Sequence, residues 1–189
     1  MSDVLWRRLG YMLSPQLDIY RHIGPKLKDM NVLEVGFGTG LGAMQLVPFA
    51  RNVTAIDFDQ NAVAFANKVM PLQADWQRLN VIDLHSSPIY QAAVMIEVLE
   101  HIPDWRKVIE NIHAALIPGG ALYVSARNAN ADLRKNELHE REWTASELRI
   151  SLMEFFGVVT LWDYTLTKRQ GPNSRITPLV AVATKTKGN

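Results

Sequence analysis

Residues 31–42 read Asn31-Val32-Leu33-Glu34-Val35-Gly36-Phe37-Gly38-Thr39-Gly40-Leu41-Gly42. A short apolar run ends in four glycines at alternate positions, and helix-like residues 41–50 follow. The pattern predicts strand, turn and helix in succession. Glycine lets backbone approach a ligand closely, and free amides at a helix start suit an anionic group. A tight turn that binds nothing requires fewer than four glycines.

Outward from this stretch, strand and helix signals alternate. Val53 to Phe58 predicts a second strand, and Asn61 to about Gln77 a helix that Pro71 breaks or kinks. Asn80 to Leu84 predicts a third strand. Ala92 to Ile96 is a continuous apolar run, as in parallel strands covered on both faces. Residues 104–116 place Trp105, Val108, Ile109, Ile112 and Leu116 on one helical face, stopped by Pro118-Gly119-Gly120. Ala121 to Ala126 follows as a fifth strand, then the polar, irregular residues 127–143. Thr144 caps a helix running to about Phe156, with Glu147 at its third position. Val158–Leu166 and Ile176–Thr184 are the last strands, joined by the basic loop 168–175. Residues 1–29, with breaks at Ser14-Pro15 and Gly24-Pro25 and a stripe through Leu17, Tyr20 and Ile23, predict a helical cap over a single domain of residues 30–189. Such alternation implies a doubly wound parallel sheet, whose ligand lies beyond the carboxyl ends of the strands. The site is expected in the loops after Val35, Ile56, Val81 and Ile96.

The 189 residues suffice for one domain, and 48% hydrophobic with 21% charged residues is an ordinary globular composition. Twenty Lys and Arg against nineteen Asp and Glu leave a formal +1, so no chain-wide field draws nucleic acid or an anionic membrane. The absence of cysteine excludes disulfides, thiolate metal sites and cysteine nucleophiles. It is compatible with a reducing compartment, and a cytoplasmic location is expected. Asp3, Arg7 and Arg8 interrupt the apolar residues of the amino terminus, and no run approaches ~18 apolar residues. Neither a signal peptide nor a membrane span is expected.

Two ligand classes compete for the glycine turn. Gly38-Thr39-Gly40-Leu41-Gly42-Ala43 satisfies a dinucleotide fingerprint formally, but the strand ends at Val35, so the first glycine of the turn is Gly36 and the sixth position is Leu41. Glu34, two residues before Gly36, offers a carboxylate to a cationic ligand such as a sulfonium or ammonium. The segment VLEVGFGTG resembles motif I of the class I S-adenosylmethionine-dependent methyltransferases. That resemblance covers residues 30–166 and implies a Rossmann-like, mostly parallel seven-stranded sheet with an antiparallel last strand. It implies that Glu34, Gly36, Gly38 and Gly40 lie at the cofactor and that Ile96 ends a strand beside it. Asp57 then accepts both ribose hydroxyls, a role suited to a two-acceptor carboxylate. Phe58 flanks the adenine, and Asp83-Leu84 contact the adenine amino group and ring edge, with Asp75 as a competitor if the third strand lies elsewhere. The expected product is S-adenosylhomocysteine.

The fourth strand runs into Ile96-Glu97-Val98-Leu99-Glu100-His101-Ile102-Pro103. On a helical turn Glu97, Glu100 and His101 face one way and present two carboxylates and an imidazole, a set suited to a divalent ion. His139, in His139-Glu140-Arg141-Glu142-Trp143-Thr144, opens at the same sheet edge as a fourth candidate ligand. Together the two segments resemble metal-dependent small-RNA 3′-terminal 2′-O-methyltransferases, in which magnesium grips the terminal hydroxyls. Glu-x-x-Glu-His alone resembles ubiquinone-biosynthesis O-methyltransferases. The other reading makes Glu97 a cofactor-pocket residue, Glu100 a helix-start charge and His101 a packed imidazole. In a metal-free enzyme His101 or His139 would be the base. Gln91 and Ser125-Ala126-Arg127-Asn128 depart from the usual aspartate and proline-asparagine of these groups.

Three functions stay open: O-methyl transfer to a small molecule or sugar, 2′-O-methylation of an RNA end, and a non-catalytic cofactor-binding subunit of a partner enzyme. Trp6, Tyr11 and Tyr20 suit either a lid or the core. Lys168, Arg169 and Arg175 suit a phosphate contact or a solvated loop. His22, His85 and His113 have no partners in the sequence.

Overall fold

The computed structural model describes residues 15–131 and 139–187. Among them, β1 (Asn31–Val35), β2 (Asn52–Asp57), β3 (Asp75–Arg78), β4 (Tyr90–Ile96), β5 (Leu116–Ala126), β6 (Val158–Trp162) and β7 (Leu179–Thr184) form one sheet in the order β3-β2-β1-β4-β5-β7-β6. The first five strands pair in parallel, and β7 inserts antiparallel between β5 and β6. This is the expected doubly wound, mostly parallel sheet. Strand order reverses between β1 and β4, so their carboxyl ends open a crevice there.

Each face of the sheet carries its own core. Helices α1 (Pro15–Ile23), α2 (Ala43–Leu46) and α3 (Gln60–Val69) cover one face with Ile19, Tyr20, Ile23, Leu46 and Ala66 against Val32, Ala55 and Val94. Helices α4 (Trp105–Ala115) and α5 (Ala145–Met153) cover the other, with Ile109, Ile112, Leu148 and Leu152 against Leu33, Met95 and Val124. Asp59 accepts from the Asn61 amide at the start of α3, and Thr144 and Glu147 form the expected reciprocal capping box at α5. Within the predicted cap, α1 and a 3-10 turn at Gly24–Leu27 are seen, while Trp6 and Tyr11 lie outside the described residues.

Several boundaries differ from expectation. Helix α2 has four residues, because Pro48 has no amide to continue it. The third strand is Asp75–Arg78, not Asn80–Leu84, and the helix before it ends at Val69 rather than near Gln77. β3 is a polar edge strand in which only Trp76 is buried, its indole donating to the Met70 carbonyl at 2.7 Å, so no apolar run announces it. Residues 81–83 instead form a 3-10 turn capped by Asn80. Pro118-Gly119-Gly120 lies inside β5 as an irregularity opposite Tyr90–Ala92, with Gly119 at φ +83°. The final strands are shorter than read: β6 ends where Asp163 accepts the amides of Thr167 and Lys168, and β7 begins after Pro178.

Candidate active site

The carboxyl ends of β1, β2 and β4, with the turns after β3 and β4, enclose a cavity of about 560 Å³. That volume suits a small-molecule ligand. Val35 and Gly36, then Ile56, Asp57 and Phe58, then Leu79 to Ile82 line one part of it, and Glu97, Val98, His101, Ile102 and Pro103 line the rest. Gly36 sits at φ +73°, and a Cβ added there would lie 2.5 Å from Val98 Cγ2, so the turn admits only glycine. Asp57 is 7% exposed. Its Oδ2 accepts the Gly38 amide at 2.8 Å and its Oδ1 the Asp59 amide at 2.9 Å, which aims the carboxylate while each oxygen keeps a second acceptor position. Phe58 is 73% exposed at the cavity edge.

Other expected cofactor residues sit elsewhere. Gly40 is closed in by Met70 and Trp76 and serves packing. Ile96 is a core residue of the α1–α3 face. Asp83 is exposed and Leu84 is buried in the core, and neither lines the cavity. With β3 ending at Arg78, the strand-end position falls to Leu79-Asn80-Val81, which the sequence reading passed over.

Glu34 does not reach the cavity either. It is fully buried on the α1–α2 face, where its charge has no solvent. Burial pushes its pKa up to about 8; the Tyr20 hydroxyl and the Ala43 amide lower it, and the nearby Asp57 charge adds to the rise. Burial thus favours the protonated acid over the carboxylate at this position.

The Glu97–His101 segment is built differently from an open helical turn. Glu97 has left-handed backbone, φ +55°, a strained state for a residue with a Cβ. Ser125 Oγ, across from it on β5, accepts the Glu97 amide at 3.0 Å and donates to Glu97 Oε1 at 2.8 Å. Leu99–His101 then form a 3-10 turn. Glu100 is fully buried, and neither carboxylate oxygen has a hydrogen-bond partner. Burial, aided by the Glu97 charge, raises its pKa to about 8; burial also raises that of Glu97.

His139 comes to this turn because Glu140 and Arg141 both donate their amides to the Glu100 carbonyl, at 2.9 and 3.2 Å. The His101 and His139 rings meet edge to face with centroids 4.9 Å apart. One donor atom each from Glu100, His101 and His139 lies within 4.8 Å of the others. Three of the four expected ligands therefore converge, while Glu97 is engaged by Ser125. Burial lowers the His139 pKa, which favours the neutral imidazole needed for a ligand or base. Ser125, Arg127 and Glu142 complete this corner.

A family model described as a methyltransferase domain matches residues 7–166. The chain belongs to the S-adenosylmethionine-dependent methyltransferase family. A probable S-adenosylmethionine-dependent methyltransferase of Mycobacterium tuberculosis is 30% identical over 145 residues, 72% of this chain and 52% of that protein. A ubiquinone biosynthesis O-methyltransferase of Rickettsia akari is 31% identical over 64% of this chain and 48% of that one. The chain thus spans about half the length of these curated relatives. Among solved structures, the N-methyltransferase NodS of Bradyrhizobium japonicum, in complex with S-adenosylhomocysteine, superposes with a TM-score of 0.68 at 17% identity, over 99% of this chain and 94% of that one. A Burkholderia thailandensis N1-methyltransferase gives 0.69 at 24% identity, over 96% and 81% of the two chains. These likenesses confirm the family fold. No helix among the described residues is long and apolar enough to cross a membrane.

Proposed function

We propose that this chain transfers a methyl group from S-adenosylmethionine to a hydroxyl oxygen, with a divalent cation held at Glu100, His101 and His139. The convergence of a buried, unpartnered carboxylate with two imidazoles carries this reading. The likeness to ubiquinone biosynthesis O-methyltransferases supports the hydroxyl acceptor.

The cavity fits the nucleoside part of the cofactor. Gly36 lets the ligand lie against backbone, Asp57 has two oxygens for a vicinal diol, and Phe58, Val81 and Ile82 offer apolar surface to a base. Asn80 stands beside that surface in the position expected of Asp83. Bound there, S-adenosylmethionine supplies an already electrophilic methyl, so the chain contributes mainly position and proton removal.

On the acceptor side, the Glu100 carboxyl, which releases its proton on binding a cation, and the His101 and His139 imidazoles form a mixed oxygen and nitrogen donor set suited to a divalent ion. Such an ion would lower the pKa of a bound hydroxyl. The chain's own residues hold the oxygen near the cavity and take up its proton: with His139 engaged as a ligand, we assign Glu97, whose carboxylate lines the cavity, as the proton acceptor. Ser125 keeps the Glu97 carboxylate turned toward the same corner.

Tritiated S-adenosylmethionine offered with separate catechol, sugar, amine and RNA pools tests the reading. Label in a hydroxyl pool, lost with EDTA and regained with magnesium or manganese, is expected. Label only in the amine pool, or full turnover in EDTA, contradicts the acceptor or the metal respectively.

A further inference from the structure

His139 and Glu142 are three residues apart, and His139 Nδ1 lies 3.3 Å from Glu142 Oε1. The same oxygen accepts Arg127 Nε at 2.8 Å. Exposed ion pairs contribute little and hold no fixed geometry. This one is largely covered, with the Arg127 and Glu142 side chains 18% and 19% exposed. The backbone around it is pinned as well. Trp143 donates its amide to the Arg127 carbonyl at 3.1 Å, and Ala129 returns a bond to the Trp143 carbonyl at 2.9 Å. Arg141 stacks 3.9 Å above the Trp143 indole, which is fully buried. Arg127, Glu142 and His139 therefore hold their places before any ligand arrives.

We propose that Glu142, clamped by Arg127, is a positioning residue that fixes His139 as the Nδ1–H tautomer and turns Nε2 toward Glu100 and His101. The reasoning is one of donors and acceptors. A carboxylate beside a guanidinium only accepts, so a ring nitrogen that bonds to it carries the hydrogen. The remaining nitrogen, Nε2, then keeps its lone pair, and we assign it as the one His139 nitrogen that takes part in the convergence with Glu100 and His101. A partner on the far nitrogen orients the ring, sets the tautomer and strengthens the near nitrogen as ligand or base. The inference rests on the reading of this corner as the acceptor site, yet the tautomer is a property of the protein alone.

Long-range 1H–15N NMR of 15N-histidine-labelled protein at about pH 8, where ordinary imidazoles are neutral, reads the tautomer directly; His139→Gln assigns the signal. The wild type should show a protonated Nδ1 and a bare Nε2. A protonated Nε2 in the wild type overturns the proposal, whatever the metal does. Glu142→Gln, whose amide can donate to Nδ1, should shift the population toward Nε2–H. Manganese titration followed by electron paramagnetic resonance should show affinity ~10–100-fold weaker in Glu142→Gln, with S-adenosylhomocysteine affinity unchanged. Arg127→Lys should weaken manganese in the same direction. Unchanged tautomer and manganese affinity in both variants would make Glu142 a mere surface partner and refute the assignment. A wild type that shows Nδ1–H but binds no manganese would refute the metal reading and leave the positioning role standing.

Discussion

Replacing Glu34 by glutamine should remove a pH dependence that burial builds into the fold. The wild-type carboxyl rises from an ordinary 4.5 to about 8 in the folded state, chiefly through loss of solvent. Between those two values the native state binds a proton that the unfolded chain does not, so stability falls as pH climbs through the interval and levels off above it. At about 1.4 kcal/mol per pH unit the rise corresponds to about 5 kcal/mol, an amount comparable with the whole stability of a small domain. Glutamine has the same shape and no charge, so its own burial cost is independent of pH. Urea denaturation of both proteins, at steps from about pH 4.5 to pH 9, isolates the group, because titrations not coupled to Glu34 cancel in the difference. The wild type should lose up to about 5 kcal/mol relative to Glu34→Gln across the range. Curves that stay parallel within about 0.5 kcal/mol would show that Glu34 ionises without cost in the fold, and the sealed pocket under Tyr20 would be wrong. Tyr20→Phe removes the hydroxyl that lowers this pKa and should carry the loss to still higher pH.

Ser125→Ala leaves the amide and carboxylate of a strained Glu97 without their bridge and should cost about 1–3 kcal/mol in chemical denaturation. Adding Glu97→Gly to that variant should recover part of the loss, since glycine adopts the left-handed backbone freely. Trp143→Ala empties a fully buried indole site beside Trp105 and should cost about 3–5 kcal/mol, read by thermal unfolding. Its activity should fall with it, because the same segment delivers His139 to Glu100. His139→Ala should weaken manganese binding while calorimetry of S-adenosylhomocysteine stays near wild type, since His139 does not line the cofactor cavity.

The parts of the fold legible in the sequence were those whose apolar runs are long or whose punctuation is chemical. β1 and β4 are buried on both faces, α4 has a one-sided stripe, and the Thr144–Glu147 box marks the start of α5. β3 was missed because an edge strand of Asp75, Trp76, Gln77 and Arg78 has one buried side chain and no periodicity to show. With β3 at Asp75–Arg78, the stretch after it that lines the cavity is Leu79–Ile82, whereas Asp83 and Leu84 lie outside the lining. At the site, helical spacing grouped Glu100 with His101, while the loop position of His139 at the same sheet edge and the family resemblance added the third member of the convergence. It could not show that Glu97 would take left-handed backbone and be held by Ser125, because that contact joins positions 28 residues apart on neighbouring strands. Burial of Glu34 beneath Tyr20 is equally invisible in a motif, and it raises the pKa of that carboxyl to about 8.

The central claim, a cofactor cavity organised around Asp57, is tested most directly by calorimetric titration of the purified chain with S-adenosylhomocysteine, alongside Asp57→Asn. One site of micromolar affinity is expected in the wild type. At least a tenfold weaker affinity is expected in the variant, in keeping with about 1.5–3 kcal/mol for a hydrogen bond to a charged group. Equal affinity in the two proteins would contradict the assignment of Asp57, and heat from NAD but none from S-adenosylhomocysteine would contradict the account at its root.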